Sequence, residues 1–522
     1  MRQLATLAFS LVFAFGVFGK PDQPNIVLIM SDDMGYSDLG CFGGEIETPN
    51  LDSLGYGGLR FARFYSQNMC VVTRASMLTG VYHKTSLRKK AINTRCVTIA
   101  EMLKGQGYFT AMAGKWHLAR YDDQSTWPNQ RGFDRYYGIL GGAASFFAPS
   151  HLIRDNQNAS AEFEAQDYYF TDAISDSAVD YIKEAKEDQP VFLYVAYTAA
   201  HWPLHARDSD IAKYRGRYSQ GWDELRESRY ARMQELGVIR KGTLLSPRND
   251  DVPAWKDTKN KEWQARRMEV YAAQVDVMDQ GIGRIIATLK DTGRFENTLI
   301  MFMIDNGGCH VEYGKDRKGD YLPKTTRDGR PMRPGNLSDI MPGPEDTYQS
   351  YGYGWANAGN TPFRYFKQHD HEGGIHTPMI AHWPKGILGK GSVTYQLASV
   401  NDIMSTALDV AGSEYPKQFN GNEIYPTDGS TLTPIFKGRE RPEPKVLYFQ
   451  QAHGQAIRKG DWKLVAIKGK HKKGKKKSVN WELYNITEDP AELDNLAKKK
   501  PGKVKELAAE FSRWIKKSAA RE

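Results

Sequence analysis

Short apolar runs punctuate the chain, and most end in a polar stretch with the look of a motif. Residues 25–30, 191–197, 298–304 and 379–382 predict strands too apolar to face water on either side, as in a sheet covered on both faces. Between them lie segments with three-and-four spacing. The longest covers 261–290, where Met268, Tyr271, Ala272, Val275, Met278, Ile282, Ile285, Ile286 and Leu289 share a face and predict a long helix. Thr98 with Glu101 three residues on predicts a capping box opening another helix. Strands alternating with helices give an α/β class: a large, mainly parallel sheet sandwiched by helices, with functional groups in the loops beyond the strand ends.

Other stretches are less regular. Residues 313–362 are rich in Gly, Pro, Asp and Tyr and too long for a routine connection, so they are expected to wall a cleft. Residues 205–242 are charged and helical in pattern, with Trp222, Leu225, Tyr230 and Met233 as packing positions. The main domain is expected over 24–410. From about 415 a smaller C-terminal α+β subdomain is expected to run to 522, with short antiparallel strands (462–467 and 479–484 among them) and a terminal helix whose Val504, Leu507, Ala508, Phe511 and Ile515 share a face. Residues 1–20, basic at Arg2 and apolar over 4–18, predict a signal peptide and are too short for a membrane span. The expected product is secreted or periplasmic, with no membrane span in the mature chain.

The composition, 40% hydrophobic and 25% charged over 522 residues, is that of a globular protein. The net charge of +9 is largely local, because seven lysines crowd into 468–477. That run reads as a solvated hairpin loop, or as a contact for an extended anionic polymer, and no nucleic-acid partner is expected. The four cysteines, Cys41, Cys70, Cys96 and Cys309, are too few for a disulfide scaffold.

The chemistry concentrates in a few places. Cys70 and Arg74 are one helical turn apart, which puts a sulfur and a fixed cation on one face. Asp32-Asp33, Gly114-Lys115-Trp116-His117 and Asp305-Asn306-Gly307-Gly308 each follow an apolar run. Asp32, Asp33, Asp305 and the amide oxygen of Asn306 make an all-oxygen set suited to Ca2+ or Mg2+ rather than zinc.

In this order, together with Thr48-Pro49-Asn50-Leu51-Asp52, His201-Trp202-Pro203, Lys367 with Glu372-Gly373-Gly374, Trp481-Glu482-Leu483-Tyr484 and Asp489-Pro490, these motifs resemble the sulfatase family across about 24–497. The resemblance implies an alkaline phosphatase-like sandwich and a sulfuric ester hydrolase of arylsulfatase type. It implies that a maturation enzyme oxidises Cys70 to formylglycine, whose hydrate attacks sulfur and later expels sulfate. Calcium, in preference to Mg2+, would be held by Asp32, Asp33, Asp305, Asn306 and the residue made from Cys70. Arg74 would hold the diol, Lys115 and Lys367 the sulfate oxygens. His117 would take the second hydroxyl's proton, and His201 would face the leaving oxygen as general acid. The implied substrate is a sulfated carbohydrate or an aryl sulfate. Three departures stand out: Val72 where the maturation signal has Pro or Ala, Gly141-Gly142 where some members carry serine, and Gln451-Ala452-His453 where relatives are more acidic. The residues alone leave two alternatives: a phosphoester hydrolase of the same superfamily, or a non-catalytic binder of sulfated glycans with Cys70 unmodified. Trp202, Tyr353 and Trp355 stand as either sugar-stacking or packing residues.

Overall fold

The structure is a computed structural model that describes residues 23–444, 446–452, 454–467 and 479–521. The 1–20 segment, His453 and the lysine-rich 468–477 run lie outside the described residues. Seven strands form the body of an eleven-stranded sheet: β1 (Asn25–Ser31), β2 (Leu59–Tyr65), β3 (Phe109–Gly114), β4 (Arg135–Ile139), β5 (Val191–Ala196), β6 (Thr298–Ile304) and β7 (His376–His382). Their order is β2-β7-β6-β1-β5-β3-β4. The centre, from β6 to β4, is parallel, whereas β7 runs antiparallel to both its neighbours and an antiparallel strand, Leu152–Arg154, extends the sheet beyond β4. The sheet is therefore mixed: beyond the parallel centre come antiparallel pairings on both sides, and the short strands Ser392–Thr394 and Ala398–Ser399 then pair with β2 in parallel. β7 begins three residues before its apolar run, because a register shift between Thr377 and Met379 accommodates Pro378, which has no N–H for the ladder.

The apolar strands are explained by burial on both faces. On one side Val27 and Ile29 of β1 join Ile174 and Ala178 of the helix Phe170–Glu184, and Tyr271, Val275, Met278 and Ile282 of the helix Lys261–Asp291. On the other, Ile26, Leu28 and Met30 meet Ala75 and Leu78 of Cys70–Thr79, Ile99 and Leu103 of Ile99–Gly105, and Ile403 of Asp402–Val410. Each buried Val, Leu, Ile or Met among them contributes about 1.5–3 kcal/mol by leaving water. Thr98 and Glu101 form the expected reciprocal cap. Within 205–242 the helix Gly221–Glu235 buries Trp222, Leu225 and Met233, with Tyr230 partly buried against the same core. Residues 313–362 are mostly irregular, apart from a two-residue strand pair and the helix Gly352–Gly359.

Near the C-terminus, Leu447–Phe449, Gly454–Lys459, Trp462–Ile467 and Glu482–Asn485 make an antiparallel sheet. The helix Pro501–Ala519 covers one face, with Leu507 and Phe511 on Ile457, Leu464 and Leu483. Phe449, Ala456, Val465 and Tyr484 on the opposite face pack against Tyr65 and Ile375 of the main domain. Ile424, Leu432 and Phe436, earlier in the chain, pack under the main sheet instead. Buried Lys463 bridges Glu372 at 2.6 Å and Glu492 at 2.8 Å. Among the described residues no helix is long and apolar enough to cross a membrane.

Candidate active site

Strand register assembles the site. Ser31 pairs with Ile304, Met30 with Ala196, and Ala196 with Gly114, so β1, β6, β5 and β3 end level. Four segments therefore leave the same sheet edge side by side: Asp32-Asp33, Asp305-Asn306, the turn to His201, and Lys115 to His117. Asp33 takes a left-handed φ of 61°, a conformation Asp adopts more readily than most residues. The Cys70–Thr79 helix opens at this edge. Thr73 Oγ1 donates to the Asp305 carbonyl at 2.6 Å and accepts from the Gln67 amide at 3.0 Å.

All the residues expected from the sequence converge here, and all but the half-buried His117 are buried. Lys115 Nζ lies 2.5 Å from Asp32 Oδ2, and Lys367 Nζ 2.6 Å from Asp33 Oδ1 and 4.0 Å from Cys70 Sγ. Arg74 donates to Asp305 Oδ2 at 3.0 Å, to the Lys115 carbonyl at 2.9 Å and to the Tyr194 hydroxyl at 3.3 Å. Asn306 Nδ2 donates to Asp33 Oδ1 at 2.7 Å. Met69, Cys70, His117, His201, Trp202 and Lys367 line one cleft of about 260 Å³.

The electrostatics follow from this crowding. Burial pushes the Asp32 carboxyl up, but Lys115, His201, Arg74 and Lys367 outweigh it and hold Asp32 well below the usual range. Asp33 is lowered in the same way, against burial, by Lys367 and His201. Asp305 goes the other way: burial and the negative charge of Asp32 raise it well above the usual range, against the pull of Arg74. Burial, helped by Lys115 and Arg74, keeps His117 neutral far below its ordinary value. Burial, partly offset by Asp33, lowers His201 to about 4. The Nδ1–H of His201 donates to the Trp202 carbonyl at 2.7 Å, which leaves Nε2 pointing at Asp33 Oδ2, 3.4 Å away.

Three buried oxygens, Asp32 Oδ1, Asp33 Oδ2 and Asn306 Oδ1, have no hydrogen-bond partner. Buried acceptors left bare cost free energy, and carboxylate and amide oxygens are hard donors. Ligand atoms of Asp32, Cys70 and Asp305 lie within 4.8 Å of one another, as do those of Asp32, Asp33 and His201. The donor set fits a hard divalent cation.

Known proteins share this arrangement of fold and motifs. A family model described as sulfatase matches residues 24–413, and one described as N-sulphoglucosamine sulphohydrolase, C-terminal, matches 362–520. The chain belongs to the sulfatase family. An uncharacterized sulfatase of Schizosaccharomyces pombe is 31% identical over 95% of this chain and 94% of its own. The arylsulfatase of Klebsiella aerogenes is 32% identical over 84% of this chain and 98% of its own. The crystal structure of Ps i-CgsB in complex with k-i-k-neocarrahexaose superposes with a TM-score of 0.66 at 26% identity, covering 94% of this chain and 93% of that one. This sulfatase is thus a sulfuric ester hydrolase with the alkaline phosphatase-like fold.

Several features of the sulfatase site escape sequence reasoning. Tyr194 reaches Arg74 from inside β5, and its apolar surroundings conceal it among strand residues. A Cβ on Gly142 would meet the His117 ring at 2.5 Å, so a serine there cannot coexist with His117 as placed. Arg364 and His371, near Lys367, fasten the C-terminal subdomain through Tyr484 and Glu482. The Gln451 carbonyl accepts from Asn68, two residues before Cys70, at 3.1 Å. Trp355 is fully buried among Tyr218, Trp222 and Trp255 and serves packing.

Proposed function

We propose that this sulfatase is exported and removes sulfate from a sulfated carbohydrate, with a formylglycine made from Cys70 as its nucleophile and a calcium ion held by Asp32, Asp33, Asp305 and Asn306. The observation that carries the reading is the set of bare buried oxygens beside Cys70, with Lys367 4.0 Å from the sulfur. When bound, the cation would supply Lewis acidity toward a sulfate oxygen and toward the nucleophile.

The chain's own groups do the rest. Lys115 and Lys367 present fixed positive charge to the sulfate oxygens, and Arg74 holds the residue formed at position 70 against the floor. His117, neutral and half-buried, is suited to accept a proton from a neighbouring hydroxyl. His201 at neutral pH has only a lone pair on Nε2. The negative charge of a bound sulfate ester raises its basicity, which is what a proton donor to the leaving oxygen needs. Carbohydrate is favoured over aryl sulfate because a structurally similar protein holds neocarrahexaose, and export rests on the 1–20 segment.

The test is mass spectrometry across residues 69–74 of protein produced with a formylglycine-generating enzyme, then side-by-side turnover of a sulfate and a phosphate ester. Aldehyde at position 70 and preferential sulfate release are expected, with activity lost to chelation and restored by Ca2+. A preference for phosphate ends the substrate claim. An unmodified Cys70 in material from the native host ends the formylglycine claim and leaves a glycan-binding protein.

A further inference from the structure

The irregular stretch after β6 contributes one cation to the cleft that the reaction does not employ. Arg317 lines the same cavity as Cys70, His201 and Lys367. Its guanidinium lies over the Trp202 ring, 4.8 Å from the centroid, and 5.1 Å from that of Tyr313, while its Nε donates to the Tyr321 hydroxyl at 3.2 Å. Ring stacking and one hydrogen bond fix the plane of the group and leave its remaining N–H donors unspent.

Its charge is equally uncommitted. Among the described residues no carboxylate lies within ion-pair distance of Arg317, and none lines the cleft. The neighbouring Asp320 faces His151 at 3.6 Å. Lys115 and Lys367, by contrast, each touch an aspartate on the floor. Arg317 also stands farther out than they do. It rests on Trp202, and it is His201, its ring tilted at 46° to that of Trp202 with centroids 4.3 Å apart, that reaches Asp33. With Arg317 over it, Trp202 is the seat of a cation and not a free platform for a sugar ring.

We propose that Arg317, seated on Trp202 and Tyr313, is a subsite for a second anionic group of the substrate, so that this sulfatase acts on a polyanionic glycan with a carboxylate or further sulfate close to the ester it cleaves. The proposal rests on the sulfatase reading. A planar, pre-oriented guanidinium is the group that recognises either oxyanion through two parallel hydrogen bonds.

The experiment compares kcat/KM of the matured enzyme on matched pairs of disaccharides. One pair is a sulfated hexuronate–hexosamine and its carboxyl-reduced counterpart; the other is a disulfated and a monosulfated galactose disaccharide. The expected result is a preference for the dianionic member of one pair, which identifies the anion. That preference should fall about tenfold or more in R317A, mainly through KM, with R317K intermediate, as for the loss of a charged hydrogen bond. A wild type indifferent to the second anion, or a preference that survives R317A, overturns the proposal. If wild type releases sulfate from none of the four, the carbohydrate-sulfatase reading is what has failed on these substrates. Calorimetric titration of the same disaccharides then decides the subsite: weaker binding of a dianionic member to R317A than to wild type upholds it, and equal binding, or none to either protein, overturns it.

Discussion

Each aspartate after β1 is tied on one oxygen and bare on the other. Asp32 gives Oδ2 to Lys115 and Asp33 gives Oδ1 to Lys367 and Asn306, so the lysines also aim the two free oxygens. K115A and K367A should each lower kcat for sulfate release by about 10²–10³, the usual loss on removing one oxyanion-stabilising donor. Each should also destabilise the fold by about 3–5 kcal/mol, because a buried carboxylate loses its partner. Turnover within tenfold of the parent, on protein shown by circular dichroism to be folded, would contradict the assigned roles. The aspartates and Lys115 were legible because each follows an apolar run, and Lys367 because Glu372-Gly373-Gly374 follows it as in the family the chain resembles. Arg317 was not: its stretch has no periodicity, and only the folded path of the chain sets it on Trp202. Trp355 stayed open in the sequence between stacking and packing, since an aromatic side chain in an irregular segment reads the same whether it faces a cleft or a core.

At the scale of elements, the central strands and the 261–290 helix announced themselves by period, and the structure places them within a residue or two. The sheet's margins did not, because they depend on which distant segments return beside β2 and β4 and in which direction, and no local pattern records that. The same holds for the join to the C-terminal sheet. Glu372, four residues before β7, accepts from Tyr65 at 2.7 Å on Oε2, which also contacts His376 at 2.9 Å, and from Lys463 at 2.6 Å on Oε1. Lys463 thus clamps the small sheet to the segment that carries Lys367. Replacing it by methionine leaves Glu372 and Glu492 buried without their cation and should cost about 3–5 kcal/mol. Denaturant unfolding should show a lower midpoint, and limited proteolysis should cut first at the C-terminal subdomain. An unchanged midpoint in K463M would mean that apolar packing alone holds the join.

For the molecule as a whole, acid should be the weak side. Burial, with Lys84 adding to it, lowers His83 to about 3, and burial lowers His205 to about 4 against the pull of the Thr347 carbonyl. Below pH 6.5 the unfolded chain binds protons that these folded histidines refuse, so stability is full above 6.5 and falls as pH drops toward 4. The slope is about 1.4 kcal/mol per pH unit for each histidine. Asp279, raised by burial to about 6, works in the opposite sense below that pH. The histidine contribution is therefore read from variants: H83Q and H205Q should each flatten the loss of stability between pH 7 and 5, and a slope unchanged in both would refute it. The level strand ends of the site also set a timetable. Arg74 is locked by Asp305, and β1 by β6, so the turn at Cys70 cannot close until the ribosome has delivered about 230 further residues. At roughly 5–20 residues per second that is on the order of 10–50 s of synthesis with the thiol still on open chain. Once closed, position 70 is only 4% exposed at the head of a buried helix. An enzyme that converts Cys70 as proposed would thus be in a race with translation, and a copy that lost it would fold around an unconverted thiol.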